Sequence, residues 1–211
     1  MSRRWGRNYI DGIEIGIQRQ DLSDIELALT DRRSIGRLRL DGELAFRAGI
    51  GLFGAQGDEP DQPAILPTAR YRITTVDIGA TLPFSDGLVE SWRVALRGQY
   101  SGRTLYGSDS FSIGGPFTVR GYDSDRADIG RSGWYSRQEL SFRLAPAVRP
   151  YVLADMGAVE RGTGLFAGVG AGVRAGWRGF SLDAFVAAPV TKRSISTGRP
   201  AQLGFTLGWG F

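Results

Sequence analysis

Gln202-Leu203-Gly204-Phe205-Thr206-Leu207-Gly208-Trp209-Gly210-Phe211, the last ten residues of the sequence, decide the fold class. Leu203, Phe205, Leu207, Trp209 and Phe211 fall on one face, and Gln202, Gly204, Thr206, Gly208 and Gly210 on the other. Side chains of a strand alternate between its two faces, so this spacing is a β-strand with one wholly apolar face and one small or polar face.

The same alternation recurs upstream. Leu38, Leu40, Leu44, Phe46, Ala48, Ile50 and Leu52 oppose Arg39, Asp41, Glu43 and Arg47. Val76, Ile78, Ala80, Leu82 and Phe84 oppose Asp77, Gly79 and Thr81, and Trp92, Val94, Leu96 and Tyr100 oppose Arg93, Arg97 and Gln99. Ala167, Val169, Ala171, Val173 and Trp177 oppose Gly168, Gly170, Gly172 and Arg174; Leu182, Ala184, Val186 and Val190 oppose Asp183. Ile13, Ile15 and Ile17 opposing Glu14 and Gln18, Ile25, Leu27 and Leu29 opposing Glu26, and the stretches 134–144 and 151–159 bring the expected total to about ten strands. Most run to about ten residues or more, against five or six in soluble sheets and 9–11 for a tilted strand crossing a bilayer. The length favours a membrane strand over a soluble sandwich or lipocalin-like barrel, in which the apolar face would pack inward.

Composition fits. The chain is 42% hydrophobic and 23% charged, totals that a soluble domain also shows, but lipid-facing and lumen-facing residues average out in a barrel. Helical spanning is excluded, since uncharged runs such as 162–173 stop short of the about 18 apolar residues a helix needs. With Cys and His both absent, a Ser-His-Asp triad, a thiol nucleophile, a haem and a structural zinc site are unavailable. No cofactor and no metal site are expected, and the net charge of +4 is scattered arginine with no basic block to suggest nucleic acid. Met1-Ser2-Arg3-Arg4-Trp5-Gly6 has no apolar core of a signal peptide, so residues 1–211 are expected to start inside a longer exported protein.

The connections alternate too. Segments 31–36, 85–89, 145–148 and 178–179 are short, whereas 54–69, 103–133 and 191–200 are long and polar, although 160–165 is brief. Outer-membrane barrels have short periplasmic turns and long outer loops. On that orientation Phe84, Trp92, Trp177, Phe180, Trp209 and Phe211 fall at the periplasmic ends of strands and Tyr100 and Trp134 at the outer ends, as two aromatic girdles would.

The longest connection holds Phe111-Ser112-Ile113-Gly114-Gly115-Pro116-Phe117-Thr118-Val119-Arg120-Gly121-Tyr122. A solvated loop has no use for these apolar residues, which suggests a loop folded back onto protein. An arginine carried inside requires an acidic partner, and Asp155 is the lone carboxylate of the otherwise apolar Tyr151–Gly157. The residues by themselves also permit an exposed Arg120 and an Asp155 lining a wet lumen.

Gly114, Gly115, Val119, Arg120, Gly121 and Tyr122 resemble the signature loop of the outer-membrane superfamily of two-partner-secretion transporters and barrel-assembly proteins. Leu153-x-Asp155-x-Gly157 resembles its aromatic-x-Asp motif, with Leu153 in place of the usual Phe. Tyr9-Ile10-Asp11-Gly12 in the first strand, Tyr106-Gly107-Ser108, Gly133-Trp134-Tyr135, Glu139-Leu140 and Phe211 are similar to the haemolysin secretion/activation branch. The resemblance implies an antiparallel transmembrane β-barrel of about sixteen strands, of which 1–211 would be the C-terminal part, with POTRA domains and earlier strands missing. It further implies a Gram-negative outer-membrane pore, not an enzyme, that secretes a partner polypeptide of haemolysin or adhesin type. In that pore Arg120 pairs with Asp155, Gly157 lies beside it, and loop 103–133 is held in the lumen. Expected partners are outer-membrane lipid, the secreted polypeptide and the barrel-assembly machinery, which would read Phe205, Trp209 and Phe211 as an insertion signal.

A barrel-assembly factor and a passive porin-like barrel stand as alternatives; the porin leaves the apolar loop motif without a purpose. Gly170-x-Gly172-x-x-Ala175 lacks the strand-then-helix context of a dinucleotide site. Asp123, Asp125 and Asp128 miss calcium-loop spacing. Glu139 is expected to pair with its face-mates Arg137 and Arg143 or to tune pore selectivity.

Overall fold

A computed structural model describes residues 1–7, 9–14, 20–191 and 201–210. Its strands are β1 (Ser2–Gly6), β2 (Tyr9–Ile10), β3 (Ile13–Glu14), β4 (Gln20–Ile35), β5 (Leu38–Ile50), β6 (Arg72–Pro83), β7 (Val89–Tyr100), β8 (Phe111–Ile113), β9 (Asp128–Gly130), β10 (Gly133–Phe142), β11 (Val148–Val159), β12 (Phe166–Trp177), β13 (Phe180–Pro189) and β14 (Gln202–Trp209). Ten of them form one antiparallel sheet in the order β1-β4-β5-β6-β7-β10-β11-β12-β13-β14. The short hairpins β2–β3 and β8–β9 stand apart from it.

The register lays the apolar residues in continuous outward rows. Ala171, Val186 and Leu203 are cross-strand partners, as are Val173, Ala184 and Phe205, and Ala175, Leu182 and Leu207. Leu203, Phe205 and Leu207 are 82%, 75% and 69% exposed. An apolar face of this extent is incompatible with water but is what hydrocarbon requires. At the rim of this face Phe180 and Trp209 stack with centroids 6.1 Å apart, beside Trp177.

The opposite face is charged. Thr30, Glu43, Asp77 and Arg97 make one cross-strand row, and Arg32, Asp41 and Gly79 another. Two-residue turns, Gly36–Arg37 and Arg178–Gly179, close the β4–β5 and β12–β13 hairpins. The second has positive φ at both residues (47° and 85°), the turn whose twist suits a hairpin.

The sheet differs from the sequence expectation at its start. Tyr9-Ile10-Asp11-Gly12 is not in the first sheet strand. Asp11 and Gly12 have φ of 49° and 81° and turn the chain tightly between β2 and β3, while Ser2–Gly6 pairs with β4. Of the strand expected at Ile13–Gln18, residues 15–18 lie outside the described residues. The polar run Asp31–Ser34, read as turn, is strand: it continues β4 opposite Arg39–Gly42, because a lumen-facing strand has no need of apolar alternation at its end. The ends of the sheet are β1 and β14, and no pairing joins them among the described residues.

Candidate functional site: the inward loop

Residues 101–132, between β7 and β10, fold over the charged face. β8 and β9 pair through Phe111–Gly130, Ser112–Ile129 and Ile113–Asp128, making the loop a hairpin with its own ladder. Phe111, Ile113, Val119 and Tyr122 pack with Val159 and Phe166 in a buried cluster that Tyr135 flanks. The apolar residues of the motif are therefore buried on the inner wall. Phe117, at the tip, is the exception at 80% exposed.

Gly114 and Gly115 both have positive φ and form the bend after β8, where the Thr118 hydroxyl accepts from the Gly114 N–H (2.8 Å). Gly121, with φ of 101°, does two things: it takes a backbone conformation unsuited to other residues and lies against Ala188 so closely that a Cβ would meet its carbonyl carbon at 2.7 Å.

Between these glycines the loop presents Arg120. It is among the largest fully buried side chains, 1% exposed. Its Nε and Nη2 donate to Oδ2 and Oδ1 of Asp155 at 2.6 and 2.8 Å, a two-pronged contact matching the planar guanidinium to the carboxylate. The Arg120 backbone N–H also donates to Asp155 Oδ2 (3.1 Å), and Nη1 donates to Glu139 Oε1 (2.6 Å). Burial opposes the positive charge, but the bonds and charges of Asp155 and Glu139 outweigh it and raise the Arg120 pKa above the ordinary arginine value. The cation therefore persists at every accessible pH.

Glu139 thus serves Arg120, not the expected Arg137 and Arg143. Side chains two residues apart on a strand stand side by side, whereas the loop delivers a dehydrated guanidinium directly above Glu139. Arg137 donates instead to the Phe117 carbonyl (3.2 Å), and Arg143 to the carbonyls of Gly87 and Phe84. Glu139 Oε2 continues to Arg174 Nη2 (2.5 Å), Arg174 Nε to Asp183 Oδ2 (2.9 Å), and the Tyr151 hydroxyl donates to Asp183 Oδ1 (2.7 Å). Four wall strands, β10 to β13, are tied into one polar network.

Two residues that the sequence reading placed on strand faces but not in the site complete it. Gln202 accepts from the Gly121 N–H (3.0 Å) and donates to the Tyr122 carbonyl (2.9 Å). It is the long polar side chain on the otherwise small inward face of β14, a signal the sequence did contain. Gly168, cross-strand from Asp155, leaves the space that the Arg120 carbonyl occupies; a Cβ there would overlap that oxygen. Gly157 similarly leaves room for the Ile113 side chain. The Tyr122 hydroxyl donates to the Ala167 carbonyl (2.9 Å) and lies 2.6 Å from the Thr191 hydroxyl. Leu153, in place of the usual Phe, is buried with Tyr151 and Ala187. Phe205 and Trp209 lie on the outer face, away from this site, and Phe211 is outside the described residues. Asp128 is occupied locally, accepting from the N–H and hydroxyl of Thr163.

An all-β sheet with an apolar outer face and an arginine-bearing loop on its inner face matches one known family. The family model for the haemolysin secretion/activation protein ShlB/FhaC/HecB matches residues 1–175. The chain belongs to that family. It is 30% identical over 226 residues to the outer membrane transporter CdiB-2 of Burkholderia pseudomallei (strain 1026b), covering 98% of this chain and 37% of that protein. It is 29% identical over 143 residues to the outer membrane transporter CdiB of Dickeya dadantii (strain 3937), covering 68% of this chain and 25% of that one. The solved structure of CdiB from Acinetobacter baumannii superposes with a TM-score of 0.82 at 26% identity, over 97% of this chain and 36% of the other. The chain thus spans roughly a quarter to two fifths of these relatives, in accord with ten strands of a larger barrel. The ShlB/FhaC/HecB family is a transporter family and not an enzymatic one, and relatives named outer membrane transporters, together with the apolar outer face, place this chain in the Gram-negative outer membrane.

Proposed function

We propose that this chain forms the C-terminal part of a barrel that passes an unfolded partner polypeptide, of haemolysin or adhesin type, across the outer membrane, with loop 101–132 as the element that occludes or admits it. The buried Arg120–Asp155 contact carries this reading. A passive pore has no reason to sink a charged side chain to 1% exposure, while a pore that must be closed at rest and yield to a chain needs a plug docked by reversible bonds. The family description, which names secretion and activation of haemolysin, supports the cargo class.

In this reading the apolar rows contact outer-membrane lipid. The alternating strand with Phe205, Trp209 and Phe211 is what the barrel-assembly machinery reads. The POTRA domains and earlier strands belong to the longer protein. The test is Arg120→Glu in the full-length transporter, co-expressed with its partner. The substituted side chain faces Asp155 and Glu139, so the loop cannot dock; secretion of the partner should fall at least about tenfold, while heat-modifiable mobility shows the barrel still inserted. Parental secretion by the inserted variant would remove the proposal.

A further inference from the structure

The same loop carries a second buried ion cluster, of the opposite polarity and toward the other end of the sheet. Asp109 follows Gly107 and Ser108 in a single 3-10 turn, and its side chain is fully buried. Arg4 of β1 donates to it through Nη2 (3.1 Å), with Nη1 forming an ion pair 2.9 Å from Oδ1, and Arg47 of β5 donates through Nη2 (2.9 Å). Arg4 also reaches the Tyr71 hydroxyl (2.7 Å), which donates to Asp24 Oδ2 (3.2 Å), and Gln99 of β7 donates to the Asp109 carbonyl (2.9 Å). Just before this turn, Leu105 is buried among Leu22, Ala69, Tyr71 and Ile73.

The chemistry is asymmetric in a telling way. The loop gives a cation to wall carboxylates on β10 and β11, and an anion to wall arginines on β1 and β5. Arg47 has Asp109 as its ion-pair partner among the described residues, and the Nε–H groups of Arg4 and Arg47 are buried without partners. Without Asp109, Arg4 would keep Asp24, 3.5 Å away, whereas Arg47 would have no ion-pair partner among the described residues. Their arrangement is built around the loop's carboxylate.

We infer that Asp109 is a second latch: with Arg4 and Arg47 it fastens the first half of the loop to the β1–β5 wall, so the plug is held across the lumen at two ends and opens only when both release. The inference rests on the proposed transport function for its purpose, and on the geometry alone for its existence. Asp109 is a positioning residue; nothing requires it to touch the exported chain.

The test uses the full-length transporter in planar lipid bilayers, with Asp109→Asn, which keeps shape and removes charge, and Asp109→Glu, which keeps charge. Asp109→Asn should raise the frequency of large-conductance openings at least about fivefold, a modest shift of a closed–open equilibrium, and Asp109→Glu should stay near the parent. Openings unchanged in an inserted Asp109→Asn protein overturn the latch. If Asp109→Asn fails to insert, Arg47→Gln is read in its place: more frequent openings support the latch, and parental openings or failed insertion overturn it by leaving a structural role alone. Secretion separates the two proposals. Parental secretion by Arg120→Glu with a leaky Asp109→Asn channel refutes the transport role and keeps the latch, whereas the reverse pair of results refutes the latch alone.

Discussion

Replacing Asp155 by Ala should free the second half of the loop by a predictable amount. Arg120 would keep its 2.6 Å contact with Glu139 but lose both prongs to Asp155 and the acceptor of its own backbone N–H. Removing one partner of a buried pair costs about 3–5 kcal/mol, because it leaves an uncompensated buried charge. Glu139 supplies part of the missing compensation, so the lower end, about 3 kcal/mol, is the appropriate figure. At 1.4 kcal/mol per factor of ten, the undocked population should rise by about two orders of magnitude. The chain contains no cysteine, so a single thiol can report on this. Val119 is fully buried beside Arg120, and a Val119→Cys thiol should react with a maleimide only when the loop lifts. In the full-length protein in vesicles, adding Asp155→Ala to Val119→Cys should accelerate labelling about a hundredfold. Asp77→Asn, which breaks the half-exposed 3.6 Å pair with Arg97, should change it less than about threefold, as solvent-screened pairs contribute little. Equal labelling rates with and without Asp155 would refute the docking argument, whatever happened to secretion.

Two further outcomes follow from contacts that involve no charge pair. Gly168→Val would put a side chain where the Arg120 carbonyl lies, and should undock the loop by about 1–3 kcal/mol, read as faster labelling of the same reporter thiol. Phe205→Arg, at an outward position near the middle of β14, should destabilise the inserted barrel by about 2–4 kcal/mol in urea titrations in lipid vesicles and leave Val119→Cys labelling unchanged.

Much of the sheet was legible because period-two alternation is a direct consequence of strand geometry, and nine of the ten sheet strands overlap stretches of sequence read as strands. The failures have a common cause. Ser2–Gly6 and Asp31–Ser34 are strands without an apolar face, held by ladder bonds to β4 and β5 and not by burial, so periodicity is blind to them. The site was legible in part. A buried arginine requires a carboxylate, and Asp155 was the conspicuous one. Glu139, Gln202 and Asp109 were hidden because their partners are brought close by the way the sheet curls, over sequence separations of 19, 81 and 105 residues.

That curl can be argued from the loop alone. Neighbouring strands are about 4.8 Å apart, so β1 and β14, nine intervals apart in the sheet order, would be about 43 Å from each other if the sheet were flat. Asp109 touches β1, and Gly121, twelve residues on, touches Gln202 of β14. Twelve residues reach about 40 Å only when fully extended, yet here they include a three-residue strand and the bend at Gly114–Gly115. The two ends of the sheet must therefore be drawn round the loop, and the loop's oppositely charged anchors hold the curl as much as the wall holds the loop. Between the anchors, the Asp77–Arg97 pair of β6 and β7 stays hydrated: Arg97 and Asp77 are 49% and 39% exposed, against 2% and 0% for Arg120 and Asp155. On the proposed transport reading, a polypeptide crossing this half of the barrel would run along the hydrated Asp77–Arg97 surface, where neither sign of side chain meets a desolvated wall.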